Sequence, residues 1–455
     1  MKTKQLCALV LSVAFLIACG SGKTNIQKPE EWAKNAVIYE VNVRQYTPQG
    51  TFNAFANKMP KLKKLGVDIL WFMPVHPISK ANRKGTLGSY YAVQNYKEIN
   101  PEFGTAEDFK NLVKKAHEMG FKVILDWVAN HTGRDNVWIK QHPDWFVKDS
   151  LGAIATAYDW TDVAKLDYTN KDMRAAMIDA MCYWVKNFNV DGFRCDVAGE
   201  VPTDFWLDAR AALDKIKPVF MLAEADKPEL CDKAFLTDYN WSMLHTMNEI
   251  AKGKQTATDI DNYWAHHDSV YSPTSFKMNF ITNHDENSWN GTEYERYGDG
   301  ANTFAVLTYT LPGMPLIYSG QEMGMKKRLA FFEKDTISSS LWNNPAVFNF
   351  YTRLNALKHY QPALSAIGGG KMVRFPTKSN TVYVFARNLS DNEVLVALNL
   401  SSTPQQIRFI KAKPAGEYYD YFASTPTQPV EMQASSLDST TLTPWQYKVL
   451  VKALH

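Results

Sequence analysis

The sequence predicts an α/β protein built on a (β/α)8 barrel, with a small inserted subdomain after strand 3 and a C-terminal antiparallel β-sandwich. Between about residues 35 and 360, short apolar runs alternate with amphipathic helical stretches, which is the pattern of parallel βαβ units. Eight such runs fit a closed barrel better than an open doubly wound sheet, and no GxGxxG motif follows the first of them. The predicted strands span 37–43, 69–72, 123–127, 192–196, 219–223, 235–238, 278–282 and 316–318.

Two features between the predicted strands refine this fold. Thr105, with Asp108 three residues later, predicts a helix that starts with a capping box and continues through apolar residues at helical spacing. Residues 130–168 separate the third strand from the next helix and are far longer than the usual connection of about 2–6 residues. They therefore predict a small subdomain inserted over the C-terminal rim of the barrel.

The sequence pattern changes after the glycines at 368–370, where short β-like runs alternate with turn residues. This pattern predicts an antiparallel sandwich. The predicted division of the chain is a signal peptide at 1–18, a tether at 19–34, the catalytic barrel at 35–365 with its insertion at 130–168, and the sandwich at 366–455.

The N-terminus has the pattern of a targeting segment. Lys2 and Lys4 precede an apolar run over 6–18 that is too short for a conventional membrane-spanning helix. The end of this run, Leu16-Ile-Ala-Cys19, resembles a bacterial lipoprotein signal, which implies cleavage before Cys19 and lipidation of that cysteine. An ordinary secretory signal with an incidental cysteine is the alternative.

The lipoprotein resemblance also implies a location. Gly20 and Ser21 follow the cysteine, where lipoproteins retained in the inner membrane commonly carry Asp. We therefore expect a lipid-anchored protein of the cell envelope, in the outer membrane of a Gram-negative bacterium, with the periplasmic and surface faces both open.

Charge and composition limit the partners. The formal net charge is only +3 and no run of Lys or Arg stands out, so nucleic acid is not expected as a partner. Aromatic residues make up 13% of the chain, and a surplus of Trp and Tyr suits stacking against sugar rings.

Polar side chains gather at the ends of four predicted strands, where a (β/α)8 barrel places its active site. Arg194 and Asp196 share one face of a strand, so the arginine is expected to lower the pKa of Asp196 and keep it ionised as a nucleophile. Taken alone, this pair could equally be a structural ion pair. Glu224 follows an apolar strand with no adjacent cation, which favours the protonated form that a general acid needs. The other strand-end residues are Asp126, Asn130, His131, Asn283, His284 and Asp285.

Four ordered motifs resemble those of the α-amylase family of glycoside hydrolases, family 13. They are Asp126-Trp-Val-Ala-Asn-His131, Gly192-Phe-Arg-Cys-Asp196, Ala223-Glu224-Ala225 and Thr282-Asn-His-Asp285. The similarity spans roughly residues 35–360, and the C-terminal part resembles the sandwich of that family.

The resemblance implies a role for each matching residue. Asp196 would be the nucleophile, Glu224 the general acid/base and Asp285 the carboxylate that steadies the distorted sugar. Arg194 would orient Asp196, and the residues implied to bind substrate are Tyr91, His131, Arg194 and His284.

The function implied is retaining hydrolysis of α-1,4-glucosidic bonds in starch-like glucans or maltooligosaccharides through a covalent glycosyl-enzyme intermediate. The alternatives are a glucanotransferase, a member that degrades cyclodextrin or pullulan, and a noncatalytic glucan-binding lipoprotein. Ala198-Gly199-Glu200 stands where many α-amylases carry Lys-His after the nucleophile motif, so the contacts on the leaving-group side are absent or replaced.

Calcium is a further implication of the resemblance. Asn130 and Asp167 match positions that bind a structural Ca²⁺ in many members. Two side chains are few for a cation that prefers about 6–8 oxygen ligands, so a hydrogen bond that braces the loop is the alternative.

Overall fold

The computed structural model describes residues 28–425 and 427–452. Within them the strands are β1 (Ile38–Val41), β2 (Ile69–Phe72), β3 (Lys122–Val128), β4 (His131–Gly133), β5 (Val163–Lys165), β6 (Gly192–Asp196), β7 (Phe220–Ala223), β8 (Thr237–Tyr239), β9 (Phe276–Asn279), β10 (Met314–Tyr318), β11 (Lys371–Arg374), β12 (Val382–Leu389), β13 (Asn392–Asn399), β14 (Gln405–Gln406), β15 (Glu417–Asp420), β16 (Glu431–Gln433), β17 (Thr441–Leu442) and β18 (Tyr447–Lys452).

Eight of these strands close into a parallel barrel in the order β1-β10-β9-β8-β7-β6-β3-β2. The side chains of its strands are buried almost throughout because helices cover the outer face. Each of the eight sequence-predicted strands overlaps one barrel strand, so the predicted fold class is confirmed.

Helices connect the strands. Helix α5 starts with the predicted capping box: the Thr105 hydroxyl accepts from the Asp108 amide at 3.1 Å, and the Asp108 carboxylate accepts from the Thr105 amide at 2.8 Å. The α-helices are α1 (Pro29–Trp32), α2 (Val43–Tyr46), α3 (Phe52–Ala56), α4 (Met59–Leu65), α5 (Ala106–Glu118), α6 (Val137–Gln141), α7 (Lys171–Phe188), α8 (Thr203–Asp214), α9 (Pro228–Cys231), α10 (Trp241–Ala251), α11 (Ala257–Val270), α12 (Glu293–Tyr297), α13 (Ala301–Thr310) and α14 (Pro345–Tyr360).

The long segment after β3 has its own small sheet. Strands β4 and β5 pair antiparallel, with His131 opposite Lys165, and α6 lies between them in the chain. This sheet lies just beyond the carboxyl end of β3, so it places residues of the segment beside the barrel mouth.

The predicted bounds of two barrel strands are displaced. Strand β9 begins at Phe276 rather than 278, because the charged Lys277 lies within the strand and is neutralised by carboxylates from neighbouring elements. Strand β8 begins at Thr237 rather than 235, since Phe235 is buried in the preceding loop instead of pairing in the sheet.

The C-terminal part is antiparallel, as predicted. Six strands pair in the order β11-β12-β13-β18-β15-β16, and β14 and β17 form a separate two-stranded sheet. A second apolar cluster, which includes Val384, Leu395 and Ile407, fills this part.

The predicted signal peptide, the lipidation site Cys19 and the first part of the tether lie outside the described residues. Among residues 28–425 and 427–452, no helix has the length and apolar composition that a bilayer crossing requires.

Candidate active site

A cavity of about 670 Å³ opens at the carboxyl ends of the barrel strands. It brings together six of the seven residues predicted for catalysis and substrate binding, namely Tyr91, His131, Asp196, Glu224, His284 and Asp285. The seventh, Arg194, has a fully buried side chain and lies beneath the carboxylates rather than in the cavity wall. This position suits the predicted role of orienting Asp196, and the grouping of Arg194 with the substrate-binding residues stays a prediction.

Strand β6 aims the predicted nucleophile because of a close backbone approach at its first residue. A Cβ on Gly192 would lie 1.9 Å from the carbonyl oxygen of Phe220 in β7, so only glycine fits there. The strand then alternates, and its register with β3 places Arg194 beside Asp126.

The guanidinium of Arg194 contacts three carboxylates. Nη1 of Arg194 donates to Asp126 Oδ1 at 2.8 Å and to Asp196 Oδ1 at 3.0 Å. Nη2 of the same side chain lies 2.9 Å from Glu224 Oε2. The expectation that no cation adjoins Glu224 is wrong, since the barrel closes Arg194 against the end of the next strand.

The backbone just after Asp196 is strained in a way that serves Glu224. Val197 adopts a left-handed conformation with φ of 45°, which is costly for a β-branched residue. Its amide donates to Glu224 Oε2 at 2.8 Å. The Glu224 carboxyl is thus held by the two segments that flank Asp196.

Negative charge exceeds positive charge around this guanidinium. Burial and the neighbouring Glu224 raise the pKa of Asp196 well above its ordinary value, and Arg194 only partly opposes them. Burial likewise raises the pKa of Asp126 to about 6. The predicted lowering of the Asp196 pKa is therefore wrong, because one cation is shared among several acids. Several acids that share one cation in this way retain a proton, and that proton cannot be assigned to a single residue.

His284 is a second cation in the site, held by a residue that the sequence reasoning missed. Its Nδ1 donates to Glu40 Oε1 of β1 at 2.5 Å, and its Nε2 lies 3.3 Å from Asp285 Oδ2. Burial alone would lower the pKa of His284, but Asp285 and Glu40 outweigh it and raise that pKa to about 9. The signal for Glu40 was a charged residue inside a mostly apolar predicted strand.

His131 has the opposite protonation state. Burial lowers its pKa to about 3, so the ring is neutral at ordinary pH. Its Nδ1 accepts from the Asn130 side-chain amide at 3.2 Å, which leaves Nε2 as the N–H donor. The two histidines of the cavity therefore offer different hydrogen-bonding groups to a ligand.

Tyr91 forms part of an aromatic floor. Its ring stacks on His284 with centroids 5.3 Å apart and on Phe331 with centroids 6.1 Å apart. Its hydroxyl donates to Asp126 Oδ2 at 3.0 Å, which fixes the ring plane. This planar apolar surface suits the face of a sugar ring.

Several further wall residues come from distant loops and carry no motif. The cavity wall also contains Lys84, whose ammonium lies 3.1 Å from Asp162 Oδ1. The aromatic residues that complete the wall are Trp160, Trp289, Phe331 and Phe332. Only the fold brings these loops together.

The predicted calcium ligands make local hydrogen bonds. The Asn130 amide bonds to His131, and Asp167 Oδ1 accepts from the Thr169 amide at 2.9 Å and its hydroxyl at 2.7 Å. Within the described part of the chain, no group of three or more His, Cys, Asp or Glu side chains is arranged to hold a metal ion. This donor set fits a loop brace better than a calcium cradle, and calcium binding stays a prediction.

The Glu40–His284 contact predicts a pH effect. Glu40→Gln keeps an acceptor for Nδ1–H but removes the charge, so the pKa of His284 should fall from about 9 toward 6.5. Because the folded-state pKa is raised, the protonated ring stabilises the fold fully below pH 6.5, and this contribution is lost as the pH rises through about 9.

NMR titration of His284 and the pH dependence of kcat/KM measure this effect. We expect the alkaline limb of kcat/KM to move to lower pH in Glu40→Gln. Glu393→Gln, at a tyrosine-bonded glutamate of the C-terminal sheet, is the matched control and should change neither property. An unaltered His284 titration in Glu40→Gln would contradict the assignment.

Comparison with known proteins places this geometry in a family context. The family model described as "Alpha amylase, catalytic domain" matches residues 24–156 and 143–346. Alpha-amylase MalA of Haloarcula japonica is 28% identical over 395 residues, which cover 83% of this chain and 57% of that protein. The chain thus spans little more than half the length of this relative. Alpha-amylase 3 of Dictyoglomus thermophilum is 26% identical over 456 residues, with 84% of this chain and 87% of that protein covered.

Solved structures agree in architecture. An alpha-amylase from Lactobacillus plantarum superposes with a TM-score of 0.81 at 30% identity, covering 92% of this chain and 99% of that one. A noncanonic maltogenic alpha-amylase from Thermotoga neapolitana gives the same TM-score and the same coverage at 29% identity.

Proposed function

The chain belongs to the α-amylase family of glycoside hydrolases, and we propose that it hydrolyses α-1,4-glucosidic bonds of starch-like glucans or maltooligosaccharides with net retention. The observation that carries this proposal is the meeting of Asp196, Glu224 and Asp285 in one cavity, with Arg194 beneath the first two. A retaining glycosidase requires one ionised and one protonated carboxyl group on either side of the scissile bond.

In the first step, a carboxylate oxygen of Asp196 attacks the anomeric carbon. Glu224 gives its proton to the glycosidic oxygen, the bond from the anomeric carbon to that oxygen breaks, and the leaving sugar departs as a neutral alcohol. In the second step, Glu224 takes a proton from water, and the water oxygen displaces Asp196 from the anomeric carbon. Two inversions at one carbon give net retention.

The remaining residues bind and orient the sugar. The protonated His284 presents to the sugar its Nε2–H, which lies 2.8 Å from the Tyr91 hydroxyl, while neutral His131 donates through Nε2 and Tyr91 supplies the stacking surface. Asp285 lies beside His284 and accepts from sugar hydroxyls as the ring distorts. Arg194 acts through the carboxylates that it holds.

The experiment is a product analysis. Proton NMR of the first products from maltopentaose should show the α-anomer, and an initial β-anomer would overturn retention. Products from starch, maltotriose, pullulan and cyclodextrin then define the reaction further. Longer products from maltotriose would indicate glucanotransfer, preferential cleavage of cyclodextrin or pullulan would indicate that specialisation, and binding without products would indicate a noncatalytic protein.

We also propose that Cys19 carries lipid and anchors the protein in the cell envelope, at the outer membrane of a Gram-negative bacterium. The support is the short apolar run that ends in Leu16-Ile-Ala-Cys19 without a following Asp. Several acyl chains give the firm attachment that a single chain does not. In cells fed labelled palmitate, the full chain should be labelled and sediment with outer membranes, while Cys19→Ser should be unlabelled. Labelling of Cys19→Ser would overturn the proposal.

A further inference from the structure

A buried lysine that pairs with two carboxylates lies outside the cavity wall and takes no part in the steps above. Lys277 of β9 has a side chain that is 1% exposed. Its ammonium lies 2.7 Å from Asp226 Oδ1 and 2.8 Å from Asp238 Oδ2. The Tyr271 hydroxyl donates to the same two carboxylates at 2.9 and 3.0 Å, and its ring centroid is 3.7 Å from the ammonium. We call these four residues the lysine cluster.

The lysine cluster joins three neighbouring parts of the barrel. Asp238 lies in β8 and Lys277 in β9, whereas Asp226 lies in the loop that follows β7. Asp226 is only two residues beyond Glu224, the proposed general acid. The Ser242 hydroxyl at the start of α10 also donates to Asp226 Oδ2 at 2.5 Å. A single carboxylate therefore ties this loop to two other elements.

Glu224 is held on both sides of its position in the chain. Its own amide donates to the Cys195 carbonyl of β6 at 3.0 Å, which fixes the loop to the strand of the proposed nucleophile. Beyond it, Asp226 is fixed by the lysine cluster. The Glu224 backbone thus lies between two anchors, one of which is the ion pair of Asp226 with the buried Lys277.

The charges of the lysine cluster hold Asp226 in one position. Burial by itself would raise the pKa of Asp226, but Lys277 and hydrogen bonds from Ser242 and Tyr271 outweigh it and hold that pKa below its ordinary value. Asp226 therefore stays ionised and bonded. Such an ion pair adds little net stability because desolvation offsets the attraction, and removing the charge of Asp226 leaves the buried Lys277 with Asp238 as its remaining carboxylate partner. Such a pair restricts where the loop can sit.

We propose that Lys277 and Asp226 are positioning residues for proton donation by Glu224. The inference rests on the proposed function, in which Glu224 protonates the leaving group. Loss of the anchor lets the loop shift, and a displacement of about 1 Å at a reacting group can cost roughly 100-fold in rate. The loss should fall on the step that needs the proton.

Two substrates with different leaving groups test the proposal. Cleavage of maltopentaose needs protonation of the leaving oxygen, whereas α-maltosyl fluoride releases fluoride with little help from an acid. For Asp226→Asn and Lys277→Met, we expect kcat/KM on maltopentaose to fall about 10- to 100-fold and kcat/KM on the fluoride to fall less than about 3-fold. Equal losses on both substrates, or no loss on either, would overturn the proposal.

The controls separate this inference from folding and from the proposed function. Asp226→Asn preserves side-chain shape and decides the question if Lys277→Met does not fold. Asp420→Asn removes a charge from the Lys448–Asp420 pair of the C-terminal sheet, 2.9 Å apart, and should affect neither substrate. Glu224→Gln should show the same substrate difference more strongly. If Glu224→Gln loses both substrates equally, the role of Glu224 is wrong; if it alone shows the difference, only the role of the cluster is wrong.

Discussion

Asp196→Asn is expected to lower kcat on maltooligosaccharides by about 10⁴-fold or more while the protein stays folded. The amide has nearly the shape of the carboxylate and can still accept the 3.0 Å hydrogen bond from Arg194. It cannot form the covalent bond to the anomeric carbon. Since Asp196 lies in a group with more acids than cations, the loss of its charge should not lower the free energy of unfolding.

Steady-state kinetics on maltopentaose measure the loss of kcat, and thermal unfolding measures whether Asp196→Asn stays as stable as the wild type. Asp420→Asn is the matched control, because it changes an equally buried aspartate far along the chain in the C-terminal sheet. Turnover by Asp196→Asn at the level of the control would refute the assignment of the nucleophile.

Arg194→Lys should have the largest effect on stability. The arginine joins Asp126, Asp196 and Glu224, and its Nε also donates to the Tyr239 hydroxyl at 3.0 Å. A lysine ammonium is a point charge and cannot reproduce this planar fork. Breaking buried pairs of this kind costs about 3–5 kcal/mol, and the displaced carboxylates should lower kcat by roughly 100-fold or more.

The stability loss in Arg194→Lys should depend on pH. With weaker pairing, the pKa values of Asp126 and Asp196 rise further in the folded state, so ionising these two groups at higher pH lowers the free energy of unfolding most. The variant should therefore lie closer to wild type at pH 5 than at pH 8 in urea unfolding. Arg374→Lys, at the Arg374–Asp261 pair outside the cavity, is the control. Equal losses at both pH values would show that Arg194 does not govern these carboxyls.

Much of the barrel could be predicted because each strand is a short apolar run between helical stretches. The runs at 69–72 and 192–196 coincide with β2 and β6. The prediction failed at the start of β9, where Lys277 interrupts the apolar pattern. A lysine is expected at the surface, and only its partners, Asp226 and Asp238, permit its burial.

The sequence predicted which motif residues form the site better than it predicted how they interact. Motif residues at strand ends were brought into one cavity, since parallel strands of a closed barrel end at one rim. Trp160 and Phe331 could not be assigned because their loops carry no motif. Glu40 was missed because its partner lies 244 residues away in the chain.

The sequence by itself determined the kind of fold, the family and the set of acidic and basic side chains that meet at the barrel mouth. It could do so because strand periodicity and chain order are properties of local sequence. Only the tertiary structure decided how the charges are shared: Arg194 among three carboxylates, Glu40 to His284, and Lys277 to the loop of Glu224. Protonation depends on burial and on distances between groups far apart in the chain, and folding alone sets those distances.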